Sequence, residues 1–333
     1  MTGKREDSKH PEEDEPYHEG EDETEKHLLS KDDEKIEKIT KILSRKERKH
    51  YEKLILNKIK HQDEEIRDRA SHALGKIGTK KAVSHLIESL KDASSTVRKS
   101  AAKALGNIRS RQAVSALIES LKDGDKEVRS TAVESLANIC DSKAVNALVS
   151  CLHDEESDVR CQAAKALGII GDKNAVGALG SCLDDPDPWV RKTAVSALCE
   201  IDVEESVDYL IKALEDKDPW VRQHAVEALG ELGDERAARA IIDLLKKEKD
   251  VEVRDSAAWA LGDIGSSEAI PLLGEILKNK EEDFEVRDSA AWALGAIGDR
   301  RALPFLEEVL KEESSSLVNR VKWAIGAIRR GSS

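Results

Sequence analysis

Residues 253–265 read Val253-Arg254-Asp255-Ser256-Ala257-Ala258-Trp259-Ala260-Leu261-Gly262-Asp263-Ile264-Gly265, and variants of this segment recur from residue 66 onward. Successive copies lie 31 residues apart five times, then 32 and 33 residues apart, and a ninth, degenerate copy begins at Leu317. A fixed period of this size is typical of a repeat array, in which each copy buries its apolar face by stacking on its neighbours. The repeated arginine stands at Arg67, Arg98, Arg129, Arg160, Arg191, Arg222, Arg254 and Arg287.

Each copy contains two amphipathic segments, which predict a helix A and a helix B joined by turns. Apolar residues recur at spacings of three and four, so each helix has one apolar stripe. The sequence therefore predicts an all-α fold, an α-solenoid (superhelix) of about nine helix pairs. In one copy the apolar stripe of helix A consists of Ala82, Val83, Leu86, Ile87 and Leu90. That of the following helix B consists of Val97, Ala101, Ala104, Leu105 and Ile108.

Residues that begin and end helices mark the limits of each helix B. Glycine, which accepts a left-handed backbone, follows the helix in five copies, and an aspartate or serine suited to the N-cap precedes it in every copy except the one with Glu156. The predicted N-caps are Asp63, Ser94, Asp125, Asp187, Asp218, Asp250, Asp283 and Ser314, and the glycines are Gly78, Gly171, Gly233, Gly265 and Gly298.

Charge is unevenly distributed along the 333 residues. The net charge is −13, and residues 1–34 account for −9 of it, with five Lys or Arg against fourteen Asp or Glu. We predict a disordered acidic tail over residues 1–30, an N-terminal capping helix over 31–45 and the repeat array over 46–330. The array is nearly balanced in charge, so we expect no nucleic-acid partner, which would need a clustered basic face.

Composition also limits the cellular setting. No apolar run approaches the roughly 18 residues of a membrane span, and the N-terminal residues lack the pattern of a signal peptide. Five cysteines without a CxxC pair fit a reducing compartment better than a disulfide framework. We therefore expect a soluble, cytoplasmic protein without a membrane partner.

Units such as Asp185-Pro186-Asp187-Pro188-Trp189-Val190-Arg191 resemble HEAT repeats of the phycobilisome (PBS) lyase type. The resemblance covers about residues 46–330 and implies an armadillo-type solenoid. It implies little about activity, because that family includes chromophore lyase subunits, deoxyhypusine hydroxylase and interaction scaffolds.

The hydroxylase members carry His-Glu pairs directly after the repeated arginine, where they bind a di-iron centre. The matching pairs in this chain include Gln223-His224 and Asp255-Ser256, and none of the eight is His-Glu. We therefore expect no enzyme activity of that kind, no metal and no cofactor.

An acidic residue precedes the repeated arginine by six positions in five copies. We predict an ion-pair ladder that ties each turn between helices to the next layer, and we assign it a structural role. Its members are Arg98, Arg129, Arg160, Arg191 and Arg222, with Asp92, Asp123, Asp154, Asp185 and Asp216.

Tryptophan occupies one position of helix B in the last three copies, at Trp259, Trp292 and Trp323. This position lies opposite the apolar stripe, and earlier copies have mostly polar residues there. We predict a tryptophan ladder on the concave face, with Asp255 and Asp288 one turn away, that binds a Lys- or Arg-bearing segment. Alternatively, the rings lie flat on neighbouring layers or cover the open end of the array.

Two other tryptophans, Trp189 and Trp220, stand at the first turn of helix B. They either bind the partner or pack against the turn. Cys161 is expected to face solvent on helix B, as an adduct-forming thiol or as an incidental surface residue. Cys151 and Cys182 are expected to be small packing residues.

The sequence thus favours a non-enzymatic protein-protein interaction scaffold, which binds a partner chain along the concave helix B face. The alternative function is a subunit of a chromophore lyase, for a bilin or another tetrapyrrole, or of a complex that chaperones a prosthetic group.

Overall fold

A computed structural model describes residues 19–30, 32–78, 80–312 and 316–331 of the chain. These residues are helical throughout, apart from turns, and contain no strand. Nine A and B pairs follow one another in this part of the chain, which confirms the predicted all-α solenoid of repeats. The chain divides by its internal contacts into Met1–Ile108 (unit 1) and Arg109–Ser333 (unit 2).

Unit 1 contains two N-terminal helices, followed by the first two repeats. Helix α3 packs on α4 as the A helix of the first pair, and α5 packs on α6 as that of the second. The helices are α1 (Glu19–Leu28), α2 (Asp33–Ile42), α3 (Arg45–Lys58), α4 (Glu64–Ile77), α5 (Ala82–Ser89) and α6 (Ser95–Ile108).

Unit 2 contains seven pairs, in which odd-numbered helices are A and even-numbered helices are B. The A helices are α7 (Val114–Ser120), α9 (Val145–Cys151), α11 (Val176–Ser181), α13 (Glu204–Ala213), α15 (Glu235–Lys247), α17 (Ile270–Lys278) and α19 (Leu303–Glu312). The B helices are α8 (Lys126–Ile139), α10 (Ser157–Ile170), α12 (Pro188–Ile201), α14 (Pro219–Leu232), α16 (Val251–Ile264), α18 (Phe284–Ile297) and α20 (Leu317–Gly331).

Small residues let the B helices of successive repeats approach closely. A Cβ atom added to Gly168 would lie 2.9 Å from the Cα atom of Ala197, and one added to Gly262 would lie 2.8 Å from that of Ala293. Each B helix also contributes fully buried alanine and leucine side chains, such as Ala257 and Leu261 of α16. The B helices therefore form a continuous, tightly packed layer within unit 2.

The helix limits follow the predicted caps. The side chains of six predicted N-cap residues accept hydrogen bonds from the backbone of the first turn, whereas Glu156 makes no such bond. All five predicted glycines have a left-handed backbone. Ser314 lies outside the described residues. The six capping residues are Asp63, Asp125, Asp187, Asp218, Asp250 and Asp283.

The N-terminal segment differs from its prediction. Residues 1–18 of the predicted disordered tail lie outside the described residues, but Glu19–Leu28 form helix α1. Leu28 is fully buried, and Glu25 forms an ion pair with Lys58 of α3 at 3.5 Å. Helix α1 is thus anchored by the burial of Leu28 and by the Glu25–Lys58 ion pair, contacts that the low overall hydrophobicity of the segment did not indicate.

Candidate functional site

Paired arginine and aspartate side chains link successive repeats. Arg191 of α12 donates from Nε and Nη2 to the two carboxylate oxygens of Asp216, at 2.7 and 2.9 Å. The hydrogen bond raises the pKa of Arg191, and both side chains are almost completely buried. The same two-bond arrangement joins Arg67 to Asp92, Arg129 to Asp154, and Arg160 to Asp185.

The register of this ladder differs from the predicted one. The aspartate six residues before each arginine offers it only a backbone carbonyl oxygen, as Asp185 does to Arg191 at 2.9 Å. The carboxylate that pairs with Arg191 comes from the following repeat, 25 residues further on. The prediction was wrong by one repeat because a turn carbonyl already occupies the near side of the guanidinium. The same bond is donated by four other arginines to the backbone carbonyl oxygen six residues earlier: Arg98 to Asp92, Arg129 to Asp123, Arg160 to Asp154 and Arg222 to Asp216.

Glutamate replaces aspartate where the turn between helices A and B is longer. The last helix A leucine and the valine of helix B are one residue further apart after Leu245, and two after Leu277, than in the other copies. In these two turns the ladder acid is Glu248, bonded to Arg222, and Glu282, bonded to Arg254. The extra methylene of glutamate therefore spans the longer turn.

The late tryptophans form a stacked pair rather than a freely exposed ladder. The rings of Trp259 and Trp292 are parallel within 1°, and their centroids are 3.7 Å apart. Trp259 is nevertheless 42% exposed, as is Trp323, and Trp292 is half-buried. The rings of Trp259 and Trp292 thus lie across neighbouring layers, and Trp259 and Trp323 still present surface to solvent. Binding of a basic segment there stays a prediction.

Glycines on the preceding helix provide the space for two of these rings. A Cβ atom at Gly262 would lie 2.5 Å from Cζ3 of Trp292, and one at Gly295 would lie 2.7 Å from Cζ3 of Trp323. Among the described residues, Trp323 has no ring partner of its own. A larger residue at Gly262 or Gly295 would therefore collide with the indole ring of the next repeat.

The two aspartates predicted to flank the rings already have partners. Asp288 accepts hydrogen bonds from Arg320 of α20 at 2.8 and 2.9 Å, and Asp255 accepts one from the hydroxyl of Ser289. The charge of Asp288 is therefore largely neutralised within the protein. The partner of Asp255, by contrast, is an uncharged hydroxyl.

A pocket of about 250 Å³ lies between α14 and α16, beside Trp259. Four carboxylates line it, and no lysine or arginine does: Glu227 and Glu231 come from α14, and Asp255 and Asp263 from α16. Ser256 donates from its hydroxyl to Glu227, and Gln223 donates from its amide to the same oxygen. Negative charge and an aromatic wall are thus concentrated in one concavity.

Asp263 is the carboxylate of this pocket whose pKa is raised, chiefly because of burial. Burial raises the pKa of Asp263, a hydrogen bond from Trp259 lowers it, and the charge of Glu231 raises it, with a net rise. Among the described residues, no three acids, cysteines or histidines are placed to hold a metal ion. A positive charge placed in the pocket would relieve the repulsion between its carboxylates.

Glu227, Glu231 and Asp263 were not predicted as site residues from the sequence. They stand six or ten residues after the valine of their copies, on the same side of helix B as Trp259. The tenth residue after the valine of helix B is acidic in three consecutive copies, at Glu200, Glu231 and Asp263. This run of acidic residues is the sequence signal that would have indicated the pocket.

Trp189 and Trp220 form a second aromatic pair, at the first turns of α12 and α14. Their ring centroids are 4.3 Å apart and their planes meet at 83°, and Trp189 is 59% exposed. The ammonium of Lys192 lies 3.7 Å from the centroid of Trp220 and 5.4 Å from that of Trp189. The rings therefore pack against each other and a lysine, and Trp189 still presents a large surface.

Two of the five cysteines are buried, two are half-buried and Cys140 is exposed. Cys151 and Cys182 are buried, as predicted, and burial raises the pKa of each thiol to about 11. Cys161 was predicted to face solvent, but it is half-buried, and burial also raises its pKa. Its thiolate is thus disfavoured at neutral pH, which weighs against adduct formation there.

A protein-family model for HEAT repeats matches the chain four times, over residues 51–125, 114–185, 176–261 and 238–326. The chain belongs to the HEAT-repeat family. No curated protein matches the sequence. HEAT repeats account for the A and B pairs and for their regular stacking, and the family as a whole fixes no single activity.

Solved structures with similar folds include other HEAT-like arrays. An engineered protein is 25% identical, with a TM-score of 0.51, and the match covers 94% of this chain and 99% of that one. Yeast importin-β, Kap95p, in its complex with RanGDP, is 14% identical with a TM-score of 0.64, and the match covers 93% of this chain and 48% of Kap95p. This HEAT-repeat chain thus spans about half the length of Kap95p.

The complex of CpcE and CpcF, the phycocyanin lyase of Nostoc sp. PCC7120, is also similar. It is 24% identical, the match covers 74% of this chain and 94% of that one, and the TM-score is 0.41. This likeness supports no conclusion about the activity of the present HEAT-repeat chain. Within the described residues, no helix is both long and apolar enough to cross a bilayer.

Proposed function

We propose that this chain is a cytoplasmic, non-enzymatic scaffold that binds a basic, extended segment of a partner protein along the B helices of unit 2. The carboxylate pocket beside Trp259 is the observation on which the proposal rests. A lysine or arginine side chain placed there would contact four carboxylates and the edge or face of an indole ring.

The surroundings of the pocket extend the same chemistry along the B helices. Glu200 of α12 occupies the same helical position as Glu231 and Asp263, and the stacked Trp259 and Trp292 continue the surface toward α18. Rigid aromatic rings beside charges are typical of the residues that dominate binding energy at protein interfaces. Packed helices lie about 10 Å apart, so an extended chain that crosses successive layers would reach a new repeat about every three residues.

The solved neighbours agree with a protein partner. The structures of Kap95p include complexes with RanGDP and with Nup1, and CpcE is in complex with CpcF. These partners belong to those proteins. For the present chain they support only the use of a HEAT-type array as a binding surface.

Titration with a hexalysine peptide and a hexaglutamate peptide tests the proposal through the fluorescence of the tryptophans. We expect hexalysine to bind, and binding to weaken as salt increases, because the attraction is between exposed charges. The paired substitutions Glu231→Gln and Asp263→Asn should weaken binding by about tenfold, which corresponds to about 1.4 kcal/mol.

A control with the same change in net charge separates a site from general attraction to an acidic protein. Glu205→Gln with Glu235→Gln changes two exposed acids on α13 and α15, away from the pocket. Equal losses in the two double variants would contradict the proposal. So would equal binding of hexalysine by Trp259→Ser and by the unchanged protein, provided that the variant keeps its thermal midpoint.

Affinity purification from native cells with mass spectrometry would then identify the partner. A visible absorption band in the purified protein would instead favour the alternative, a lyase or chaperone subunit for a tetrapyrrole.

A further inference from the structure

The corner between Trp189 and Trp220 already holds a cation. The two ring planes are nearly perpendicular, and the Lys192 ammonium lies over the face of Trp220 and within 5.4 Å of the Trp189 centroid. His224 packs edge-on against Trp220 at 5.5 Å and adds a third ring to the cluster. Perpendicular aromatic walls around an ammonium are the arrangement through which proteins recognise alkylated ammonium groups.

Lys192 is held in this corner by the rings rather than by a carboxylate. Within the described residues its ammonium forms no salt bridge and no hydrogen bond. Burial lowers the pKa of Lys192, so its charge has lost part of its hydration, while the more distant charge of Glu227 opposes that effect. Lys192 thus shows what the corner attracts, namely a cation that gives up water in exchange for aromatic faces.

The corner is open to solvent. Trp189 is 59% exposed, and Lys192 is a half-buried side chain on the surface of α12, so it can leave without any movement of the backbone. The site is distinct from the pocket beside Trp259, because its rings stand at the first turns of α12 and α14. An occupant from outside therefore needs only to displace one flexible side chain.

We propose that the Trp189–Trp220 corner is a binding site for a methylated lysine of a partner protein, and that Lys192 is its internal competitor. An unmodified lysine from outside has the same ammonium as Lys192 and lacks the advantage of being attached to the site. A trimethylammonium group spreads its charge over methyl groups, is easier to desolvate and buries apolar surface between the rings. Methylation is therefore the change that lets an external side chain prevail.

Spectra of the indole N–H groups in the full chain test this proposal, since the five tryptophans give five signals that single Trp→Phe substitutions assign. The probes are a hexapeptide with one trimethyl-lysine, the same peptide unmodified, and choline. We expect the trimethylated peptide to shift the signals of Trp189 and Trp220, and the unmodified peptide to bind several-fold more weakly. Choline that binds as tightly as the peptide would overturn the assignment to a protein side chain.

Variants decide the role of Lys192. Lys192→Met should tighten binding of the trimethylated peptide by about tenfold, the factor expected if Lys192 occupies the corner nine-tenths of the time. Trp189→Ala should abolish binding with the thermal midpoint unchanged, because the ring is mostly exposed. Trp259→Ser should leave this binding unchanged, which separates the site from the proposed function. Equal shifts with both peptides, or no effect of Lys192→Met, would overturn the proposal.

Discussion

Arg191 and Asp216 are 25 residues apart in the chain, and the guanidinium of the first forms two hydrogen bonds with the carboxylate of the second, at 2.7 and 2.9 Å. Asp216 also accepts from the backbone N–H of Asp218, so one carboxylate joins a turn to the preceding layer. The pair is almost fully buried, which makes the loss of either partner costly.

Removal of the carboxylate should destabilise unit 2 strongly. We expect Asp216→Ala to lower the free energy of unfolding by about 3 kcal/mol, because it leaves the Arg191 charge buried without its counter-ion. The matched control is Lys212→Ala, which removes the exposed Lys212–Asp184 ion pair at 2.9 Å and should cost less than about 1 kcal/mol. Urea denaturation followed by circular dichroism measures the free energy of unfolding of both variants. Similar losses in the two would contradict the claim that burial makes the Arg191–Asp216 pair the more costly one to break.

Acid should weaken the ladder in unit 1. The hydrogen bonds from Arg67 hold the pKa of Asp92 below its ordinary value. A carboxyl whose pKa is lowered by folding stabilises the protein above its unfolded pKa of about 3.9, and this contribution is lost as the pH falls further, through the folded value.

Asp92→Asn should therefore be less stable than the unchanged protein at pH 7, and the difference should narrow below about pH 4. Thermal midpoints measured between pH 7 and pH 2.5 would show this convergence. Asp208→Asn, an exposed change on α13, provides the comparison. If the thermal midpoints of the unchanged protein and Asp92→Asn differ by the same amount down to pH 2.5, ionisation of Asp92 does not stabilise the fold.

Gly262 is required by the approach of two B helices. Gly262→Ala would place a methyl group 2.5 Å from Trp292 and 2.8 Å from the backbone of Ala293, so α16 and α18 must separate. We expect the free energy of unfolding to fall by about 1–3 kcal/mol. The Trp259–Trp292 stack should also be disturbed, which near-ultraviolet circular dichroism would detect.

Gly177→Ala is the opposite case within the same unit. Gly177 lies in helix α11 with nothing within 4 Å of an added Cβ atom, so alanine should stabilise the helix by about 0.5–1 kcal/mol. The two substitutions are chemically identical, and a change of the same sign in both would show that helix packing does not govern the result.

Cys140 occupies a position where other copies have glycine. It ends helix α8 with φ of 54°, a left-handed backbone that costs a residue with a side chain about 1–2 kcal/mol. Glycine removes this strain but loses more chain entropy on folding, so Cys140→Gly should stabilise by up to about 1 kcal/mol. Asp202→Gly, at φ of 45°, should raise the free energy of unfolding by less, because aspartate adopts a left-handed backbone more readily than cysteine does. Denaturant midpoints of the two variants test the order.

The sequence predicts the repeats well because each helix limit has a local cause. The spacing of Ala257 and Leu261 marks the buried stripe, and Asp250 and Gly265 mark the two ends of α16. These signals act within a few residues of one another, so they can be read without knowledge of the neighbours.

Features that join two repeats were harder to predict. Asp185 lies six residues before Arg191, which suggested a pair, whereas the true partner Asp216 approaches only after stacking. The pocket likewise combines Glu231 of α14 with Asp263 of α16, 32 positions along the chain. The stacking of Trp259 on Trp292 likewise forms only once α16 and α18 pack against each other.

The offset of the ladder gives the array a direction during synthesis on the ribosome. Each paired guanidinium leaves the exit tunnel 25 to 28 residues before its carboxylate, as Arg160 does before Asp185 and Arg254 before Glu282. In a growing chain the paired arginine of the newest B helix therefore waits for its counter-ion, which the following copy supplies.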